Sequence, residues 1–168
     1  MKSKQIVILS LLTSLASVVY FLESFVPLPV PIPGLKWGFS NAVVLMVLGL
    51  FGPKNAIIVT VCKGLLGSLL AGRLFSPAFF LGTVGGVGGA STMALLFRAN
   101  RFGLVGISLG GALVNNLLQL TLAATWLLGN QGVFLLTPLV VLMGSFSAIA
   151  NAFLARGGLR WLNKVPTR

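Results

Sequence analysis

Ile6-Val-Ile-Leu-Ser-Leu-Leu-Thr-Ser-Leu-Ala-Ser-Val-Val-Tyr-Phe-Leu22 contains no charged residue. A helix that crosses a bilayer needs about 20 mostly apolar residues. With Glu23 to Phe25 added, this stretch predicts a first membrane helix from about Ile6 to Phe25. The preceding Met1-Lys2-Ser3-Lys4 has the basic opening of a secretory signal peptide. We read a retained helix instead, because the apolar run continues to Phe25 with no small-residue cleavage site and the downstream segments are equally apolar.

The rest of the chain shares this character. Its 168 residues are 57% hydrophobic and 8% charged, and its mean hydropathy is +1.04, whereas a soluble domain carries roughly 25% charged residues. The solvent this composition calls for is lipid. Glu23 is the only acidic residue and there is no His. That removes catalytic carboxylate pairs, Ser-His-Asp triads, His-based metal sites and Mg-binding acidic clusters. No G-x-x-x-x-G-K-[ST] sequence occurs, so ATP-driven work would belong to other subunits. The reading is a chain that is not an enzyme, with no metal and no cofactor. The net charge of +11 does not signal nucleic acid, because Lys and Arg sit in short connections between apolar runs rather than along one solvated face. Cys62, within an apolar run, reads as a small buried hydrophobe.

Helix boundaries follow from Pro, Gly and capping residues. The run Pro27-Leu-Pro-Val-Pro-Ile-Pro33 cannot continue a helix and predicts a stiff polyproline II loop. A short second segment spans about Leu35 to Phe51 and stops at Gly52-Pro53, and a third covers about Ala56 to Leu70. Ser76-Pro77 supplies an N-cap and a Pro at the first helical position for a fourth helix lasting to about Phe97. The fifth covers about Leu104 to Leu128. Thr137-Pro138 repeats the device for a sixth ending near Ala155, before a basic tail from Arg156 to Arg168. The expected fold is an all-α membrane protein, a bundle of six transmembrane helices forming one domain.

Counting Lys and Arg by side orients it. Lys2, Lys4, Lys54, Arg98, Arg101, Arg156, Arg160, Lys164 and Arg168 fall on the side of the N-terminus, against Lys36 and Arg73 on the other. This predicts a multi-pass plasma-membrane protein with both termini in the cytoplasm.

Lys63, inside the third segment, is the sharpest candidate for function, since a cation within a span faces a cavity or a partner unless it snorkels to the interface. Helical rise places Glu23 near the outer end of its helix and Lys63 toward the cytoplasmic half of its own, so the two are not expected to pair. Asn115 and Gln119 lie one turn apart with Asn116 beside them, suited either to a ligand or to gluing helices together. If they converge with Lys63, the pocket would suit an anionic head group. Lys36, Trp37, Arg73 and Glu23 gather at the predicted outer surface, as an anchoring belt or as the cover of a pocket. The run Gly82-Thr-Val-Gly-Gly-Val-Gly-Gly89 imitates a phosphate loop, but it lies in an apolar helix and reads as helix packing.

Three segments together carry a resemblance: Glu23-Ser-Phe-Val-Pro-Leu-Pro-Val-Pro31, Gly34-Leu-Lys-Trp-Gly-Phe-Ser-Asn41, and Lys63-Gly-Leu-Leu-Gly-Ser-Leu-Leu-Ala-Gly72 with Phe75-Ser-Pro77. They resemble the Gx transporter family, also labelled heptaprenyl diphosphate synthase component I, over nearly the whole chain. That family is similar to the substrate-binding S components of energy-coupling factor transporters. The resemblance implies a subunit that captures a vitamin, a flavin or a prenyl diphosphate at the outer face. It also implies docking on a transmembrane coupling subunit driven by paired ATPase subunits. Asn41 joins the candidate ligand residues through it. The docking face of S components, small residues on the first helix, maps onto Ser10, Thr13, Ser14 and Ser17, where Ser and Thr replace the usual Ala pair. The Asp-rich motifs of prenyl diphosphate synthases are missing, since the chain has no Asp. Two rivals stand beside this reading: an ion-coupled exporter using Glu23, and a non-catalytic subunit of a membrane redox or prenyl-lipid complex.

Overall fold

The computed structural model describes residues 3–26 and 35–164, with side chains described as far as residue 162. Among these residues the regular structure is all helical, with no strand: α1 (Ser3–Leu22), α2 (Ser40–Leu70), α3 (Pro77–Ala99), α4 (Leu104–Leu122) and α5 (Thr137–Lys164). A 3-10 turn at Glu23–Phe25 extends α1, a π turn at Ala123–Leu127 extends α4, and a 3-10 segment at Gln131–Leu136 leads into α5. The expected Pro loop lies outside the described residues.

Five of these helices are long and apolar enough to cross a membrane, among the described residues. Their outward faces are what lipid requires. On α1 the exposed side chains include Ile6, Val7, Leu11, Leu15, Val18 and Leu22, a continuous apolar stripe that a soluble monomer would not leave open to water.

α2 is not one straight rod. Gly52 sits at φ 80°, ψ 178°, and Pro53 follows it, so the ladder breaks where only Gly is comfortable. Asn55 Nδ2 donates to the freed Phe51 carbonyl at 2.7 Å. Arms 40–51 and 53–70 fold back on each other, because Lys63 reaches Ser40 at 2.9 Å although a straight helix would hold those positions roughly 35 Å apart. α2 packs against α1, α3 and α5, and α4 fills the space between α3 and α5.

Small residues set the close approaches. A Cβ at Gly89 would lie 2.7 Å from the Gly111 carbonyl oxygen, and one at Gly85 would lie 2.9 Å from that of Asn115. The α3–α4 contact is therefore backbone against backbone, as close packing in lipid demands. The Gly run read as helix packing packs in this way.

Ser76 caps α3 by accepting from Phe79 N–H at 3.3 Å, with Pro77 at the first position. Three boundaries differ from expectation. Leu35 to Phe39 are not helical, and α2 begins only at Ser40. The second arm of α2 starts at Pro53 rather than Ala56. α5 runs to Lys164 instead of ending near Ala155. No Pro interrupts it before Pro166, and Gly158 leaves the space that the Met46 side chain occupies, a Cβ there lying 2.5 Å from its methyl.

Two apolar clusters stack along the bundle. One joins Leu12, Ala16, Val44, Val47, Leu48, Val59, Ala90 and Met93, and the other joins Leu81, Leu120, Ala123, Ala124, Val133 and Val140. On α3 and α4 the residues between them in sequence line a polar cavity.

Candidate functional site

Every helix up to α4 contributes to that cavity. α1 brings Tyr20, with Glu23 just past its end. The non-helical segment before α2 brings Lys36 and Gly38, and the two arms of α2 bring Ser40, Asn41, Thr60, Lys63 and Gly64. α3 brings Gly82, Thr83 and Gly86, and α4 brings Asn115 and Gln119. The space within it is about 30 Å³, enough for one or two water-sized groups. Gly82 is needed there, since a Cβ would lie 2.8 Å from the Tyr20 hydroxyl.

Lys63 is 4% exposed and donates to Ser40 Oγ at 2.9 Å and Asn41 Oδ1 at 2.7 Å. Glu23, 5% exposed, takes the Ser40 N–H on Oε1 at 2.6 Å. Ser40 thus stands between carboxylate and ammonium, holding one with its backbone and the other with its hydroxyl. Lys36 donates to the Tyr20 carbonyl at 3.1 Å and Ser24 Oγ at 2.8 Å, and its ammonium lies 3.3 Å from the centre of the Tyr20 ring. The Lys63 ammonium is 5.9 Å from the same ring, so one aromatic face serves two cations. Burial pulls the Lys36 ammonium down to about 8, with Glu23 opposing that and Arg73 and Lys63 reinforcing it.

On α4 the amides form a directed chain. Asn116 Nδ2 donates to the Val140 carbonyl at 3.2 Å, Asn115 Nδ2 to Asn116 Oδ1 at 3.3 Å, and Gln119 Nε2 to Asn115 Oδ1 at 3.0 Å.

Of the candidates read from sequence, Glu23, Lys36, Asn41, Lys63, Asn115 and Gln119 meet in this one cavity. Asn116 and Trp37 line a smaller neighbouring space with Lys36, and Arg73 lines another with Lys36 and Tyr20. The expected separation of Glu23 from Lys63 is corrected. Segment 35–39 enters the bundle, with Ser147 Oγ donating to the Trp37 carbonyl and Asn151 Nδ2 to the Gly38 carbonyl at 2.9 Å. α2 therefore starts deep, and Ser40 links the two charged groups. No ion pair within 4 Å joins them among the described residues, and Lys63 does not snorkel.

The four candidate docking residues do not share one open face. Ser10 and Ser14 are exposed, Thr13 is half-buried and Ser17 is buried. Ser17 turns toward α2, where its carbonyl would lie 3.0 Å from a Cβ at Gly67. Ser40, Tyr20, Thr60 and Thr83 were missed in the sequence. Tyr20 carried a signal, being the chain's one Tyr and less than a turn from Glu23.

No group of three or more His, Cys, Asp or Glu residues that could hold a metal occurs among the described residues. The family model described as heptaprenyl diphosphate synthase component I matches residues 12–157. No curated protein and no solved structure matches the chain. The matched stretch takes in every segment that lines the cavity. The family's description is of a component, and one oxygen of this chain's single carboxylate holds the Ser40 N–H. On this match the chain belongs to the heptaprenyl diphosphate synthase component I family.

Proposed function

We propose that this chain is the substrate-binding subunit of an ATP-driven transporter of the energy-coupling factor kind, with six crossings, the two arms of α2 counted separately and the first arm completed by residues 35–39. The observation that carries this reading is the polar cavity, where two ammonium groups, Lys36 and Lys63, are gathered with one carboxylate, Glu23. The same polar groups tie the arms of α2 together, but packing alone does not call for this many of them around one space, since apolar replacement of a whole buried charged set is often neutral. The surplus positive charge around the site lets the ligand be a small amphiphilic metabolite that carries an anionic group beside the cavity, in the class of flavins, other vitamins or prenyl diphosphates.

Lys4, Lys54, Arg98, Arg101, Arg156 and Arg160 belong to the helix ends opposite Glu23, Leu70 and Pro77. That asymmetry supports cytoplasmic termini in the plasma membrane and a cavity nearer the outer face. Ser10 and Ser14, on the exposed stripe of α1, are the positions offered to a transmembrane coupling subunit, which paired ATPase subunits would drive. The test is affinity purification of the tagged chain in mild detergent. ATPase and coupling subunits should co-purify, and a small molecule should be released on denaturation and read by mass spectrometry.

The family's description favours a second reading, a non-catalytic partner of a prenyl diphosphate synthase. Recovery of a soluble prenyl synthase in place of the ATPases would select it and end the first.

A further inference from the structure

Glu23 Oε2, Gln119 Oε1 and Thr83 Oγ1 are buried without a hydrogen-bond partner, and all three residues line the same cavity. Glu23 and Gln119 are each 5% exposed. Gln119 Oε1 is a pure acceptor, Glu23 Oε2 is one with its carboxylate ionised between Lys36 and Lys63, and the Thr83 hydroxyl can do either. Buried polar groups are normally paired, so three orphans facing one space mark what that space is made to receive.

The orientation of Gln119 is not a free choice. The Val140 carbonyl can only accept, so Asn116 must present its NH2 there and its oxygen to Asn115. Asn115 must then present its oxygen to Gln119 Nε2. The Gln119 oxygen is left facing the cavity, and a flip of any one amide would set like against like. The lysines, meanwhile, are largely committed. Lys63 spends two of its three N–H groups on Ser40 and Asn41. Lys36 spends two on Tyr20 and Ser24 and lies against the Tyr20 ring.

We infer that the cavity recognises a ligand edge with two N–H donors beside one carbonyl, of the cyclic urea kind, and rejects phosphate or diphosphate at this position. The donors meet Glu23 Oε2 and Gln119 Oε1, and the carbonyl takes the remaining Lys63 N–H. A diphosphate offers lone pairs only and would set them against the Glu23 carboxylate. The room of about 30 Å³ admits the edge of such a group. This rests on the binding-subunit reading and narrows its ligand, leaving any anionic group of the ligand to lie outside the cavity.

The experiment uses the full chain in nanodiscs with three probes at millimolar concentration: ethyleneurea, its N,N′-dimethyl derivative and inorganic diphosphate. Ethyleneurea should raise the Tm by about 2 °C or more, and the dimethyl derivative and diphosphate should not. Glu23→Gln turns the outward carboxylate oxygen into an NH2, because Ser40 N–H keeps the other oxygen. It should weaken ethyleneurea binding about tenfold. Thr83→Val, at a half-buried position, should weaken it less while leaving the fold intact. Equal protection by the two ureas, or protection by diphosphate alone, overturns this inference and leaves the binding-subunit reading standing. Protection by none of the three overturns this inference too, and the binding-subunit reading is then decided by the affinity purification alone.

Discussion

Lys63 Nζ and Ser40 Oγ are 2.9 Å apart across twenty-three positions of one helix. This bond, with that to Asn41, ties the second arm of α2 to the start of the first. Hydrogen bonds to a charged group contribute about 1.5–3 kcal/mol each. Lys63→Met should therefore lower stability by about 2 kcal/mol or more and abolish ligand protection. Ser40→Ala, which keeps the backbone N–H for Glu23, should cost about 1 kcal/mol. Thermal unfolding in detergent measures both, and an unchanged Tm for Lys63→Met would show that the tie holds nothing.

Gly52→Ala separates conformation from space. Nothing lies within 4 Å of the position a Cβ would take, yet φ is +80°, a region L side chains rarely adopt. The substitution should cost about 1–3 kcal/mol purely through the backbone. Gly103→Ala, where space is equally open and φ is −72°, should be near neutral, and chemical unfolding of the pair checks the contrast.

The α3–α4 contact discriminates between backbone and side-chain neighbours. Gly89→Ala would press on the Gly111 carbonyl at 2.7 Å, whereas Gly88→Ala meets the end of the Leu118 side chain. Overpacking costs about 1–3 kcal/mol when the neighbour cannot yield. Gly89→Ala should reach that range and Gly88→Ala should stay well below it. Equal losses would mean the two helices separate freely.

Stability should depend on pH through Lys36. Its ammonium titrates at about 8 in the folded chain against an ordinary 10.5. Between those values the unfolded chain holds more protons, so this group makes stability rise with pH across that window. Lys36→Met should flatten the rise, read as Tm from pH 7 to 10.5 at fixed ionic strength.

What was legible in the sequence, and what was not, divides along physical lines. The apolar runs, the Ser76-Pro77 cap and Lys63 as a buried cation rest on local chemistry and could be read directly. The end of α5 could not, because it depends on Met46 packing against Gly158 from another helix. The partnership of Glu23 with Lys63 was hidden for a similar reason. Counting rise along separate helices assumes each starts at the membrane surface, while residues 35–39 run inward and are held there by Ser147 and Asn151. The Gly run was read as packing, and at Gly85 and Gly89 it packs. Gly82 and Gly86 also border the cavity, a double use that spacing alone cannot signal.

The break at Gly52 also bears on how the chain is made. Arm 40–51 is about 18 Å long, well short of the roughly 30 Å hydrocarbon layer, so it cannot leave the translocon as a span in its own right. The two arms are therefore expected to enter the bilayer together as a helical hairpin, which would bring the Lys63 charge into lipid sheltered by its bonds to Ser40 and Asn41. On that expectation, the contacts that line the cavity would also serve the insertion of the chain.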